Sequence, residues 1–329
     1  MLTVLITGCG GAAGQGIVKA LRIQSDDLRL IGADADSYAG FFHLKDTGLS
    51  KVYCLPYNDR SNYISEVINL CRKETVDVVF PGSDAELMKL ATHREDLEKF
   101  GTKVIVSTIE SLTTCRDKWL TYGRLKKAVP MVRSALADEG VEKALGFTGL
   151  PAVVKPRVGW GSKQIYKVQN NSQVKIILKE INNPIIQTWL DGEEYTVDCF
   201  ADKTGKPVCV VPRRRIKIFH GLSFEGVTVR DLQLINLGIK INAEIPIYGP
   251  FNFQAKIVDG KPLIFEINPR FAGSGILTVH AGANIPLLAV QEACGMKIPK
   301  DVEFEEGVVF SRVFDEVFFK IPQGRDCPD

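Results

Sequence analysis

No stretch of this 329-residue chain is apolar for long enough to cross a membrane. Its apolar start, Met1-Leu2-Thr3-Val4-Leu5-Ile6-Thr7-Gly8, is short, lacks a basic leader and runs into a glycine turn. That predicts a buried strand rather than a signal peptide. Charge of one sign is lacking too: the formal net charge is +2 with 24% charged residues, so there is no global basic field for nucleic acid. The cysteines (Cys9, Cys54, Cys71, Cys115, Cys199, Cys209, Cys294 and Cys327) form no Cys-x-x-Cys pair and have no histidine at ligand spacing. This excludes the common zinc patterns and predicts reduced, mostly buried thiols in a cytoplasmic protein. What is present is a 45% hydrophobic composition over 329 residues, enough core for about two or three globular units.

The stretch richest in chemistry is Lys261 to Gly275. Leu263, Phe265 and Ile267 alternate with Ile264, Glu266 and Asn268, which predicts a strand with Glu266 and Asn268 on one face and Pro269 closing the ladder. Phe251 to Val258 reads as its antiparallel partner, joined through the turn dipeptide Asp259-Gly260. The hairpin can then set Gln254 opposite Glu266. One carboxylate and two amide oxygens, with room for water and phosphate oxygens, suit Mg²⁺ bridging a nucleotide's phosphates.

Gln254 followed by Glu266-Ile267-Asn268-Pro269-Arg270 resembles the metal-binding signature of the ATP-grasp superfamily, most closely the carbamoyl-phosphate-synthetase-like ligases. The resemblance covers nearly the whole chain. It implies a fold that is α/β and α+β: a pre-ATP-grasp, Rossmann-like domain (residues 1–112) with a doubly wound parallel sheet, then a two-lobed ATP-grasp domain (113–329) with a small lobe over about 118–188 and a catalytic lobe over about 189–320. It implies ATP and Mg²⁺, with Mn²⁺ able to substitute. The metal ligands would be Gln254, Glu266 and Asn268, and the catalytic groups Arg270, Lys155 and Glu266.

The opening reads as a strand (Thr3–Thr7), a glycine turn, a helix (about Gln15–Ile23) and a strand (Arg29–Ala33) ending at Asp34. A helix over Glu66–Lys73, a buried strand over Val76–Phe80 and another over Lys103–Ser107 follow. Thr7-Gly8-Cys9-Gly10-Gly11-Ala12-Ala13-Gly14 also fits the Thr-Gly-x-x-Gly-x-x-Gly fingerprint of short-chain dehydrogenases, with Asp34 where a ribose-binding acid would sit and Tyr122-x-x-x-Lys126 at a catalytic spacing. An NAD(P)-dependent oxidoreductase is therefore the rival reading, and a non-catalytic ATP-binding protein a third. Against the dehydrogenase, only about four strands precede Tyr122, and glycines at a strand-to-helix turn also allow close packing without a ligand.

A helix begins near Thr114 and continues to Lys127, with Pro130 as its stop. By the resemblance, Lys118 at its start reaches nucleotide phosphates. Leu150 to Pro156 is an apolar strand carrying Lys155, whose setting between Val154 and Pro156 is better explained by a phosphate partner than by a free charge. The loop that follows includes Gly161 and Ser162, which would cover the phosphates, and has Trp160 where the family's loop is richer in glycine. Gln187 and backbone groups of Thr188, Trp189 and Leu190 would bond the adenine edge, and Glu194 would hold the ribose.

The basic run Arg213-Arg214-Arg215-Ile216-Lys217 fits a strand and a phosphate- or carboxylate-binding wall, with Arg215 and Lys217 as candidates. A one-residue shift of register reverses the faces, so which of Arg213, Arg214 and Arg215 turns inward stays open. Further candidates on the substrate side are Gly11, Asp84, Glu86, Gly273 and Ser274. A helix over Val229–Glu244, another over Pro286–Cys294, a returning strand over Val308–Phe319 and a frayed tail over 321–329 complete the chain, with His280 read as a loop residue. The implied reaction activates a small carboxylate with ATP as an acylphosphate and passes it to an amine, releasing ADP. Carbamoyl phosphate synthesis is not expected, because its two phosphorylations would need two such units. The expected partners are small molecules and a second copy of the chain in a homodimer, with neither nucleic acid nor membrane.

Overall fold

The computed structural model describes residues 1–24, 27–159, 161 and 163–320. Apolar runs bounded by glycine and acidic turns build the first unit. Its elements are β1 (Leu2–Thr7), α1 (Ala12–Gln24), β2 (Leu28–Asp34), a 3-10 turn (Gly40–His43), β3 (Lys51–Cys54), α2 (Tyr63–Glu74), β4 (Val78–Pro81), α3 (Leu87–Thr92), α4 (Arg94–Glu98) and β5 (Lys103–Val104). The five strands form a parallel sheet in the order β3-β2-β1-β4-β5. β3 was not expected, because four half-buried residues beginning with a lysine show no alternation. β5 is shorter than expected, although the Ile105 amide still donates to the Val79 carbonyl at 3.0 Å. The free thiols are Cys9, Cys71, Cys115, Cys199, Cys209 and Cys294. Cys54 departs from the expected reduced state and is disulfide-bonded.

The glycine turn after β1 is filled by the protein itself. A methyl group on Gly14 would sit 2.4 Å from the Gly8 carbonyl oxygen, and one on Gly82 would lie 2.6 Å from that of Thr7 and 2.9 Å from the Gly14 Cα. The loops after β1 and β4 thus touch backbone to backbone. Asp34 caps this turn, accepting from the Gly10 amide at 2.8 Å and the Asp36 amide at 3.0 Å.

Next come α5 (Ile109–Arg116), α6 (Lys118–Leu125), β6 (Ser134–Ala135), α7 (Val141–Thr148), β7 (Ala152–Pro156), β8 (Tyr166–Val168), α8 (Asn171–Glu180) and β9 (Pro184–Thr188). The single helix expected from Thr114 to Lys127 is instead two. Asp117 breaks it at φ −96° and ψ 109°, and its carboxylate accepts from the Trp119 and Leu120 amides to start α6. Strands β6-β9-β7-β8 make a four-stranded antiparallel sheet backed by α7 and α8.

The rest is β10 (Glu193–Ala201), β11 (Pro207–Phe219), β12 (Leu222–Thr228), α9 (Leu232–Glu244), β13 (Gly249–Val258), β14 (Lys261–Asn268), α10 (Ile276–His280), α11 (Ile285–Ala293) and β15 (Val309–Ser311). The strands form a six-stranded sheet in the order β14-β13-β10-β11-β12-β15. Alternation splits its side chains between two cores. Cys199 and Ala201 face α9, whereas Phe200 packs with α11 and with Ile17 and Leu21 of α1, which ties the first unit to this sheet. Only Val309–Ser311 of the strand expected over Val308–Phe319 forms, because the chain then leaves the sheet edge and Phe319 stacks on His43, with ring centroids 3.4 Å apart. His280 ends α10 instead of lying in a loop. The tail at 321–329 lies outside the described residues.

The packing explanation of the glycine turn is testable by denaturation. Gly14→Ala should destabilise the protein by roughly 1–3 kcal/mol through overpacking against backbone. Gly123→Ala, in the exposed and open middle of α6, should be neutral or stabilising by up to about 1 kcal/mol.

Candidate active site

The β13–β14 hairpin pairs Gln254 with Glu266 and Asn252 with Asn268. A bulge at Gln254/Ala255 breaks the strict alternation expected of β14. Ile264 joins the core with Ile267, while Phe265 and Glu266 both line a cleft. Asn268 donates to Asn252 Oδ1 at 3.3 Å, and Asn252 donates to the Arg270 carbonyl at 2.9 Å, so the strand end is braced from its partner. Gln254, Glu266 and Asn268 therefore fall on one surface. This donor set carries a single carboxylate, and the described residues contain no cluster of three His, Cys, Asp or Glu side chains fit for a metal. The set fits a hard cation that brings phosphate oxygens with it and is poor at holding one alone.

The cleft, about 320 Å³, lies between the two antiparallel sheets. From the small sheet come Lys155 on β7 and the chain from Gln187 to Leu190; from the large one come Glu194, Arg215, Gln254, Lys256 and Glu266. Lys155 is buried, and its ammonium has no hydrogen bond among the described residues, lying 5.5 Å from the centroid of the Phe265 ring. Burial lowers its ammonium pKa to about 8; Glu266 and Glu194 pull it up and Lys118 pushes it down. Lys118, also buried, donates to the Gly159 carbonyl at 3.3 Å, and Arg157 of the same loop pairs with Asp117 at 2.6 Å.

At the other end Gln187 donates to Ser134 Oγ at 3.0 Å, which fixes its amide and leaves its oxygen for the cleft. The Thr188 and Trp189 amides are engaged by the Arg133 and Pro151 carbonyls, and the Leu190 carbonyl accepts from Lys256 at 3.3 Å. Glu194 does not stand free for a ribose. It pairs with Arg215 and lies 3.7 Å from Lys256.

The register of β10 on β11 answers which arginine turns inward. Arg213 and Arg215 do, and Arg214 faces outward to Glu193 at 2.8 Å. Arg213 is 1% exposed, grips Asp198 through two nitrogens at 2.7 and 3.0 Å, and donates to Ser274 Oγ at 2.9 Å; Thr278 also donates to Asp198. Arg215 stands in the cleft near Glu194 rather than on a separate substrate wall. Lys217 is outside altogether, exposed and 3.7 Å from Glu225. The bulges after Arg215 turn it to solvent.

Arg270 forms an ion pair with Asp84 at 2.6 Å and donates to the Phe271 carbonyl at 3.0 Å. Asp84, Lys118, Glu266 and Asn268 border a compartment of only about 20 Å³ beside the cleft. Glu86, expected on the substrate side, is buried beneath the glycine turn instead. It accepts from the Tyr63 hydroxyl at 2.5 Å and the Ser83 amide at 3.0 Å, and burial raises its pKa to about 7. Gly11 is exposed at the start of α1; Gly273 packs nearby, where a methyl group would lie 3.4 Å from Ala12 Cβ. Gly161 projects into open space at φ +68°, and Ser162 and Trp160 lie outside the described residues.

Residues 180–315 match a family model described as ATP-grasp in the biosynthetic pathway with Ter operon, and residues 4–105 match one described as PylC-like, N-terminal domain. The chain carries an ATP-grasp domain. It is 25% identical over 341 residues to the carbamoyl phosphate synthase large chain of Methanothermobacter thermautotrophicus, covering 94% of this chain and 31% of that protein. The chain thus spans about a third of the curated relative's length. Biotin carboxylase from Campylobacter jejuni superposes with a TM-score of 0.74 at 15% identity, over 92% of this chain and 73% of that one. N5-carboxyaminoimidazole synthetase from Staphylococcus aureus, complexed with ADP, gives 0.70 at 16% identity over 92% and 80%. An L-amino acid ligase from Bacillus licheniformis gives 0.68 at 16% identity over 89% and 74%. At these identities the likeness is one of fold.

Lys256 lines the cleft, and Asn252 and Asp198 brace its walls; the sequence analysis singled out none of the three and left the inward turn of Arg213 open. Lys256 was findable, being two residues from Gln254 on the same strand face. Arg213 and Asp198 needed the pairing of two strands.

Lys155 makes the cleft sensitive to pH. An anionic nucleotide raises its pKa, so ATP binding near pH 8 should be accompanied by proton uptake, and affinity should fall as pH rises past 8. Calorimetry in buffers of different ionisation enthalpy measures the uptake. Lys155→Ala should abolish it and weaken ATP by roughly 1.5–3 kcal/mol.

Proposed function

We propose that this chain is an ADP-forming ligase that joins a small carboxylate, such as an amino acid or a related molecule, to an amine. The observation that carries the reading is that Glu266 borders both the nucleotide cleft with Lys155 and the compartment with Asp84, the ion-pair partner of Arg270. A γ-phosphate held by Lys155 and Lys118 would thereby adjoin a guanidinium suited to a carboxylate. A carboxylate oxygen attacks the γ-phosphorus, the bond to the ADP oxygen breaks, and an acylphosphate forms. The amine then attacks the acyl carbon, phosphate leaves with the C–O bond electrons, and loss of a proton gives the amide.

No side-chain nucleophile is required. The chain's own contribution is orientation and charge: Lys155 and Lys118 on phosphate, Arg270 on the acid, and Gln187 with the Leu190 region on the purine. Gln254, Glu266 and Asn268 would hold Mg²⁺, with Mn²⁺ as a substitute, and the ion would neutralise phosphate charge. The division into residues 1–112 and 113–329, with lobes near 118–188 and 189–320, belongs to this proposal and is supported by the three separate sheets. A cytoplasmic homodimer is the matching assembly; among the described residues no helix is long and apolar enough to cross a membrane. A 2-oxoglutarate carboxylase domain of the same fold was solved as a dimer with MgADP.

The dehydrogenase reading loses its support at Asp34, whose two oxygens are engaged by the Gly10 and Asp36 amides, and at glycines that serve loop packing. ATP with Mg²⁺ should therefore raise the melting temperature, while NAD⁺ and NADP⁺ at equal concentration leave it unchanged. An ADP-release screen over amino acids, dipeptides and sugar acids tests turnover. Glu266→Gln should reduce the rate found by at least ~100-fold. Wild-type turnover in that variant at saturating Mg²⁺ would remove the metal assignment, and ATP binding without ADP under every condition would make the chain a binding protein.

A further inference from the structure

The Asp84–Arg270 pair joins two parts of the chain that are separately fixed. Asp84 sits in the loop after β4, which is held by the contact of Gly82 with the Thr7 carbonyl and by the Ser83 amide on Glu86. Arg270 follows the metal-type motif, its backbone amide donating to the Asn268 carbonyl at 2.9 Å. The ion pair measures 2.6 Å, with side-chain exposures of 19% for Arg270 and 13% for Asp84. Arg270 is the only partner of Asp84 among the described residues.

The compartment that Asp84 borders has about 20 Å³ of free space and the one that Arg270 borders about 10 Å³, each with room for about one water molecule at most. A substrate carboxylate therefore cannot slip in beside an intact pair. It has to take the place of Asp84 on the guanidinium. The displaced Asp84 carboxylate would then be largely shielded from water and would share Lys118 and Arg116, which border the same compartment, with the nucleotide's phosphates and Glu266, so a further cation that accompanies the exchange favours it. The amine substrate supplies one in its ammonium form.

Resting on the ligase reading, we propose that Asp84 is an internal stand-in for the acid substrate and becomes the docking group for the amine. Arg270 passes from Asp84 to the substrate carboxylate, and Asp84 passes from Arg270 to the substrate ammonium. Acid and amine consequently bind with positive coupling, and each raises the affinity for the other by the same factor. The first unit then contributes directly to substrate selection.

Minimal probes test this in protein saturated with MgADP: acetate for the carboxylate and methylammonium for the amine, with titrations followed by calorimetry and thermal shift. In the wild type, methylammonium should tighten acetate by about fivefold or more. Asp84→Asn should bind acetate more tightly on its own, because the competitor has lost its charge, and should show no response to methylammonium. Asp84→Glu should restore the coupling, which a merely structural role for the side chain does not explain. The proposal is overturned if Asp84→Asn binds acetate no better than wild type, if methylammonium acts equally on both, or if acetate binds neither protein. Absence of MgADP stabilisation in the wild type would instead overturn the ligase reading, so the two failures are distinguishable.

Discussion

The cleft brings together more cations than its carboxylates neutralise. Arg213, Arg215 and Arg270 each have an acid: Asp198, Glu194 and Asp84. Lys155 and Lys118 have no ion pair among the described residues and are nonetheless buried. Three matched pairs fix the walls, since removing one partner of a buried pair leaves the other uncompensated. Glu266 also has no ion pair among the described residues, so it offsets only part of the charge of the two lysines and the region suits an anion. Burial, more than neighbouring charge, lowers the Lys155 pKa, and an anion bound beside it would raise it again.

The supporting structure follows from that arrangement. Pairing β10 with β11 sets Thr196 opposite Arg213, so Asp198 and Glu194 fall within reach of the two inward arginines. Arg213 also holds Ser274, and through it the loop between Arg270 and α10. Ser274 thus acts through position in the wall. Arg312, beyond β15, donates to the Gly273 carbonyl at 2.6 Å and closes that loop from the far side. The loop that follows Arg270 is consequently braced from the sheet interior, from the sheet edge and from Asp84 of the first unit.

The first unit shows how one turn chemistry serves two ends. Glycines after a strand allow close approach of backbone, and the approaching group can be a pyrophosphate or another loop. Here Gly14 and Gly82 bring the loops after β1 and β4 into contact, and Asp34 caps the turn from within. The contact rigidifies the β4 loop and so determines where Asp84 stands.

The sequence by itself determined β1, β2, β4, β7, the order of the charged residues along the chain and the hairpin that sets Gln254 across from Glu266, because these depend on local alternation and on one short turn. It also marked Lys155 as a charge in an apolar strand. Tertiary structure alone decided the rest. The inward face of the arginine run depends on pairing with β10, and a one-residue slip would have reversed it. The bulge that puts Phe265 beside Glu266 depends on β13. Asp84 and Glu86 are two residues apart, yet one meets Arg270 across a domain-sized sequence gap while the other is buried against Tyr63. Contacts between residues remote in sequence leave no periodicity to read, so their partners emerge only when the sheets pack together.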